Sequence, residues 1–208
     1  MRLTALPLNC TLKADPKVES STDAMIAELA KAFAERDVTI SETVRIAALD
    51  IRPGVTSDEG SGDAWPALRT RILAHDILIL GSPIWLGQIS SVAKRVLERM
   101  DAFLNETDGA GRMPSYGKVA VAAIVGNEDG AHFCAAQLFQ ALNDVGWTIP
   151  PVGACYWVGE AMGSTDFKDL KKTPPIIRKT ATMLATNAAH LARLLRDHPI
   201  PGIGDATR

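Results

Sequence analysis

The sequence predicts an α/β fold in which a parallel sheet of five strands lies between two layers of helices. Short apolar runs alternate along the whole chain with longer segments of helical periodicity, which is the pattern of successive βα units. One run, residues 77–80, is continuously apolar (Ile, Leu, Ile, Leu), as expected of a strand whose two faces are both covered by helices. Crossovers between parallel strands are right-handed and bury both surfaces of such a sheet.

The elements can be assigned in order along the chain. In the first helix Met25, Leu29 and Phe33 share one face, and Pro174 and Pro175 open the last helix. The predicted strands are 3–9, 43–49, 76–81, 119–125 and one within 152–158. The predicted helices are 21–36, 65–75, 90–105, 131–145 and one from 175 onward, followed by a tail over 198–208.

The chain length of 208 residues falls between one and two average domains. Five βα units account for roughly 150 residues at the usual element lengths. The surplus lies in three long loops, 51–63, 105–117 and 159–173, and in the tail. We therefore predict a single domain over 1–208, with substrate choice and subunit contacts in those loops.

Composition excludes several classes of protein. The chain is 47% hydrophobic and 22% charged with a net charge of -2, so it has no basic field for nucleic acid. No apolar stretch approaches the ~18 residues of a membrane span, and the first residues do not form a secretory signal. The three cysteines form no C-x-x-C pair, which argues against zinc, iron-sulfur clusters or a disulfide framework. We predict a cytoplasmic protein.

Two common nucleotide motifs are absent from the sequence. No G-x-G-x-x-G follows the first strand. The segment 111–118 has five residues between its glycines where a Walker A loop has four, and it precedes a strand instead of following one. Any nucleotide must therefore bind in another way.

Three hydroxyl side chains, Ser20, Ser21 and Thr22, stand directly before the first helix. Together with the free N–H groups of a helix start, they could hold a phosphate without a metal. Ser20 and Asp23 also have the spacing of a capping box, so the same residues could serve only to begin the helix.

The loops after strands three and four have a different character. Residues 81–87 include an exposed proline and a large aromatic residue, Trp85, which could line a flat ring but could equally pack in the core or at an interface. Residues 126–130 place polar side chains between two glycines, which suits the edge of a heterocycle or a simple turn. In a parallel sheet these loops share one edge with the hydroxyls. The combination predicts a site for a flat heterocycle that carries one phosphate.

At these residues the sequence resembles the flavodoxin-like FMN proteins, specifically the NADPH-dependent FMN reductase branch, over nearly the whole chain. The resemblance implies a flavodoxin-like three-layer sandwich with strand order 2-1-3-4-5 and FMN between strands one and three. The phosphate would be held by Ser20, Ser21 and Thr22, with Asn9 and Thr11 at the start of that loop. One side of the isoalloxazine would be lined by Pro83, Ile84, Trp85, Leu86 and Gly87, and its other edge by Gly126, Asn127, Glu128, Asp129 and Gly130.

The same resemblance implies an oxidoreductase. Hydride would pass from NADPH or NADH through FMN N5 to a quinone, a flavin or a similar small acceptor, and no catalytic side chain is required. Relatives in this branch commonly form homodimers or homotetramers. Two alternatives stay open: a flavodoxin-type electron carrier and a flavodoxin-like binding module without cofactor. Whether His132, Tyr156 or Trp157 contacts the flavin is also open.

Overall fold

The computed structural model describes residues 2–203, so residues 204–208 of the predicted tail lie outside the described part. A parallel sheet of five positions runs in the order β2-β1-β4-β6-β7, which confirms the predicted topology. Two short strands, β3 and β5, bring the total to seven, where five were predicted. The strands are β1 (Leu3–Asn9), β2 (Val38–Ile40), β3 (Val44–Arg45), β4 (Ile77–Trp85), β5 (Gln88–Ile89), β6 (Val119–Gly126) and β7 (Ala154–Val158).

The predicted second strand, 43–49, is wrong in its bounds. Both β2 and β3 pair in parallel with β1, so two short strands share one edge position of the sheet. Residues Ile46–Ala48 form a 3-10 helix that buries Ile46, so the apolar side chains read as a strand belong to a helical turn. A period of two cannot be distinguished from one helical turn over so few residues.

The predicted loop 81–87 is partly strand. β4 continues to Trp85 and turns back through Leu86 and Gly87 to pair antiparallel with β5. Beyond Gly81 the strand has no partner on its β1 side, because β1 pairs with β4 only as far as that residue. Pro83 can therefore lie in an inner strand without leaving a ladder bond unmade on that side.

Within the part of the chain that the structure describes, five α-helices cover the two faces of the sheet, and successive strand residues alternate between two cores. Leu78 and Leu80 of β4 belong to one apolar core, whereas Ile77 and Ile79 belong to the other. Within the described residues, no helix combines the length and apolar character needed to cross a membrane. The helices are α1 (Ser21–Ala34), α2 (Trp65–Leu73), α3 (Ser91–Met100), α4 (Ala131–Asp144) and α5 (Pro175–Asp197); α1 and α5 line one core, and α2, α3 and α4 line the other.

A buried ion pair fixes the segment between the 3-10 helix and α2. Arg99 Nη1 of α3 lies 2.7 Å from Asp63 Oδ2, and both side chains have no exposed surface. The same guanidinium donates to the carbonyl oxygens of Arg52 and Thr56 and lies over the ring of Trp65. Segment 51–63 is thus attached to α3 through one fully enclosed cation.

Candidate functional site

The carboxyl ends of β1, β4, β6 and β7 surround a cavity of about 410 Å³. This is the edge at which parallel α/β sheets bind ligands, and the volume suits a nucleotide-sized molecule. The cavity is lined by Thr11, Lys13, Ser20, Ser21, Thr22, Pro83, Ile84, Trp85, Leu86, Val125, Gly126, Asn127, Glu128, Trp157, Met162 and Asp166.

The hydroxyl end of the cavity lies at the start of α1. Ser20 is the N-cap: its hydroxyl accepts from the N–H of Asp23, and the Asp23 carboxylate accepts from the N–H of Ser20. The N–H groups of Ser21 and Thr22 follow in the first turn and find no acceptor among the described residues. The capping box and the cavity wall therefore coexist, and the two free N–H groups carry the positive end of the helix dipole.

A polar network lies behind this helix start. The Asn9 amide donates to the Ser20 hydroxyl at 3.2 Å and to the Asp23 carboxylate, while its oxygen accepts from the N–H of Thr11 at 2.9 Å. Arg45 Nη2 donates to Asp23 Oδ2 at 2.5 Å. Asn9 thus supports the loop from below and does not line the cavity.

The hairpin of β4 and β5 presents apolar side chains at the opposite side of the cavity. Trp85 is 55% exposed and Leu86 is 88% exposed. Leu86 also has a left-handed backbone with φ of +52°, which is a strained conformation for a non-glycine residue. Two apolar side chains are therefore held in solvent at the cavity mouth.

Two glycines allow the hairpin to approach the loop after β6. A Cβ at position 126 would lie 2.8 Å from the Cβ of Ile84, and one at position 130 would lie 2.7 Å from the Cα of Gly87. Gly130 also has a φ of +121°. The predicted glycines thus permit close packing of two loops, and Gly87 and Gly130 meet each other outside the cavity lining.

Asn127 holds a further segment against the cavity. Its amide donates to Asp166 Oδ1 at 2.9 Å and to the carbonyl oxygen of Gly163 at 3.3 Å. Its own carbonyl oxygen accepts from the N–H of Met162. Met162 has a φ of +63° and is 95% exposed. Asn127 therefore positions segment 159–166. Asp129, two residues later, is exposed, and its carboxylate accepts from the N–H of Gly130.

The aromatic residues of β7 divide between two environments. Trp157 lines the cavity and packs at 5.6 Å against the ring of Phe167. The Tyr156 hydroxyl instead lies 2.9 Å from His132 Nε2 at the protein surface. Of the three residues left open by the sequence, Trp157 alone lines the cavity.

Eleven of the fifteen residues assigned to the site from the sequence line the cavity, and Asn9, Gly87, Asp129 and Gly130 do not. The lining residues outside that assignment are Lys13, Val125, Trp157, Met162 and Asp166. Val125 could have been inferred from its place at the end of β6. Met162 and Asp166 could not, because they belong to a long loop whose path the sequence does not predict.

Comparison with known proteins identifies this arrangement. The model of the family NADPH-dependent FMN reductase matches residues 10–162. The 8-demethyl-8-aminoriboflavin-5'-phosphate synthase of Streptomyces davaonensis is 32% identical over 96% of this chain and 80% of its own length. A Mycobacterium bovis protein named divalent metal cation transporter MntH is 37% identical over 93% of this chain, which spans 29% of that protein's length.

Solved structures agree with the family match. RosB with bound 8-demethyl-8-formylriboflavin-5'-phosphate has a TM-score of 0.87 at 31% identity, covering 97% of this chain and 83% of that one. The apo form of the NADH:FMN oxidoreductase EmoB has a TM-score of 0.62 at 16% identity, covering 99% and 97% of the two chains, which shows a shared fold.

The residues around the cavity fit FMN. The free N–H groups and hydroxyls at the start of α1 suit a phosphate, with the Lys13 ammonium beside them. The remaining walls carry the apolar and aromatic side chains of Ile84, Trp85 and Trp157, which suit a flat ring system. The polar side chains of Asn127, Glu128 and Asp166 also line this part of the cavity. With a family model matching most of its length and a cavity of this character, the chain belongs to the NADPH-dependent FMN reductase family, whose members bind FMN.

Proposed function

We propose that this protein is an FMN-dependent oxidoreductase that uses NADPH or NADH to reduce a small acceptor such as a quinone or a free flavin. When bound, FMN would supply the redox chemistry by accepting hydride at N5 and passing it on. The observation that carries the proposal is the pairing, within one cavity, of an unpaired helix start with an apolar, aromatic wall.

The chain itself would bind, orient and shield the flavin. The Ser20, Ser21 and Thr22 segment would hold the phosphate, while residues 83–86 of the hairpin and residues 126–128 at the end of β6 would border the ring. Backbone N–H groups near the ring would stabilise negative charge on it, which removes the need for a catalytic acid or base. The exposed Trp85, Leu86 and Met162 at the mouth would contact an apolar acceptor or a second subunit of a homodimer or homotetramer.

A second function is favoured by the comparisons. Identity to the aminoriboflavin phosphate synthase and to RosB is 31–32%, about twice the identity to the NADH:FMN oxidoreductase. In this alternative the flavin phosphate is the substrate, and the protein changes the ring instead of using it as a resident cofactor.

One experiment separates these functions. Purified protein is mixed with FMN and then with NADPH without oxygen, and the flavin absorbance is followed. A second sample is incubated with FMN in air, with and without an amino-group donor, and the mass of the recovered flavin is measured by mass spectrometry. Rapid bleaching with an unchanged flavin mass supports the reductase. An altered mass supports flavin processing. FMN binding without bleaching indicates an electron carrier. Failure to take up FMN contradicts the reductase, the flavin-processing enzyme and the electron carrier, and it favours the binding module without cofactor.

The phosphate assignment has its own test. Replacing Ser21 and Thr22 together with alanine should weaken FMN about tenfold or more, because hydrogen bonds to a charged phosphate are lost. Riboflavin, which lacks the phosphate, should bind nearly as before. An equal loss for both ligands would mean that these hydroxyls serve only the helix.

A further inference from the structure

One edge position of the sheet is divided between β2 and β3. This division places a buried arginine behind the start of α1, at the hydroxyl end of the cavity. β3 pairs with the end of β1 so that Arg45 stands opposite Asn9. The side chain of Arg45 is only 8% exposed. It does not line the cavity, so any role in ligand binding must act through other residues.

The donors of Arg45 cross the loop that precedes α1. Nη1 donates to the carbonyl oxygens of Lys13 at 3.1 Å and Val18 at 3.4 Å, which lie on the two sides of the loop. Residues 12–19, which include Lys13 and Val18, are exposed. Few apolar contacts are available to order such a segment, so it is held by hydrogen bonds. The Lys13 ammonium donates to the carbonyl oxygen of Glu19 at 3.1 Å within the loop, and the Arg45 guanidinium links both sides of the loop to β3.

Arg45 also balances a charge that would oppose an anion. Asp23 lies in the first turn of α1, next to Ser21 and Thr22, and its carboxylate would repel a phosphate at that helix start. Arg45 Nη2 donates to this carboxylate at 2.5 Å, and Asn9 donates to it as well. The negative charge needed for the capping box is thereby neutralised on the side away from the cavity.

We propose that Arg45 is a positioning residue that sets the preference of the site for phosphorylated over unphosphorylated flavins. It orders residues 12–19 and neutralises Asp23, so that the carboxylate beside Ser21 and Thr22 does not oppose an anion at the helix start. This inference rests on the proposed FMN binding at the cavity.

The test compares flavin binding in Arg45→Met, Arg45→Lys and the wild type. Flavin-free proteins are titrated with FMN and with riboflavin, and each Kd is obtained from flavin fluorescence. We expect Arg45→Met to weaken FMN roughly 10- to 100-fold, since charge-assisted hydrogen bonds are lost, and riboflavin by less than about threefold. Arg45→Lys retains the charge but not the planar guanidinium group, so its Kd for FMN should lie between those of the wild type and Arg45→Met. The matched control is Arg112→Met, which removes an exposed arginine paired with Asp108 and should change neither Kd.

Limited trypsin digestion of the flavin-free proteins provides a second readout. The loop contains exposed Lys13 and Lys17, and we expect cleavage there to be faster in both Arg45 variants than in the wild type or Arg112→Met. The proposal is overturned if the ratio of riboflavin Kd to FMN Kd stays at the wild-type value, or if cleavage is not accelerated. If Arg45→Met does not fold, Arg45→Lys is judged by the same two criteria. A wild type that binds neither flavin would instead contradict the proposed function, and the digestion would still test whether Arg45 orders the loop.

Discussion

Segments 51–63 and 159–166 are both long and irregular, yet they are held in opposite ways. The first is attached to α3 by Arg99, whose ion pair with Asp63 is fully enclosed and whose other donors reach Arg52 and Thr56. The second is held mainly by the partly buried amide of Asn127 and leaves Met162 almost wholly exposed.

The contrast shows that loop length alone does not identify a functional loop. Loop length predicts substrate choice and subunit contacts in all three long loops, but segment 51–63 contributes no residue to the cavity, and loop 105–117 borders a separate cavity of about 490 Å³. Segment 159–166 contributes Met162 and Asp166. A loop that is bonded to a helix through a buried ion pair stabilises the fold, whereas one with few contacts is free to respond to a ligand.

The largest effect expected from this contrast is on stability. Asp63→Asn leaves the Arg99 guanidinium buried without its counter-charge, and we expect the free energy of unfolding to fall by about 3–5 kcal/mol. Urea denaturation measures the loss, and Asp108→Asn, in an exposed pair, should be far less destabilising than Asp63→Asn. FMN affinity of the folded Asp63→Asn protein should be unchanged; a loss of affinity with no loss of stability would reverse the roles assigned to the two segments.

The same pair predicts an acid limit to stability. Burial acts to raise the pKa of Asp63, but hydrogen bonds from Arg99 and three backbone N–H groups outweigh it and hold this pKa well below its ordinary value of 3.8. Because the folded-state pKa is the lower one, the stabilisation is complete above about pH 4 and is lost as the pH falls through and below that range. Denaturation curves recorded between roughly pH 5 and 2 should show a shallower pH dependence for Asp63→Asn than for the wild type. Parallel curves would show that the pair is not a source of acid lability.

A smaller effect is expected at the other segment. Asn127→Ala removes two hydrogen bonds that hold segment 159–166, which should weaken FMN roughly 3- to 10-fold and change overall stability by about 1 kcal/mol. Hydrogen exchange should become faster over 159–166 and stay unchanged over 51–63. Asn187→Ala is the control, because that amide donates to the carbonyl oxygen of Pro151 and neither residue lines the cavity. Unchanged exchange would mean that Asn127 does not anchor the segment.

The smallest effect concerns the strained residues at the cavity mouth. Leu86→Asn places a residue that tolerates the left-handed backbone at φ +52°, so we expect a gain of about 0.5–1 kcal/mol in stability. The KM for an apolar acceptor should rise at the same time. Leu12→Asn also removes an exposed apolar side chain but relieves no such strain, and it should give no gain. A destabilised Leu86→Asn protein would show that the left-handed backbone at residue 86 does not reduce the stability of the wild type.

The topology could be predicted because the inner strands β1, β4 and β6 carry long apolar runs with few alternatives. The second strand could not, because Val38–Ile40 and Val44–Arg45 are too short for periodicity to locate them. Their position depends on hydrogen bonds to β1, which are tertiary contacts.

In the candidate site, too, some residues could be predicted from the sequence and others could not. Ser21, Thr22 and Ile84 adjoin the ends of predicted elements, so chain order and parallel strands suffice to bring them together. Arg45 and Asp166 could not be identified, because a single arginine or aspartate carries no pattern and each acts through a partner far along the chain, Asp23 and Asn127 respectively.

The burial of all three cysteines makes the mouth of the cavity open to selective chemical labelling. Burial raises the pKa of Cys134 to about 11 and that of Cys155 to about 12, and it raises the pKa of Cys10 still further. Thiols that stay protonated and enclosed react slowly with maleimides. A cysteine introduced at the exposed Met162 would therefore carry a fluorophore at one defined position, and its signal would report directly on whether segment 159–166 moves when a flavin binds.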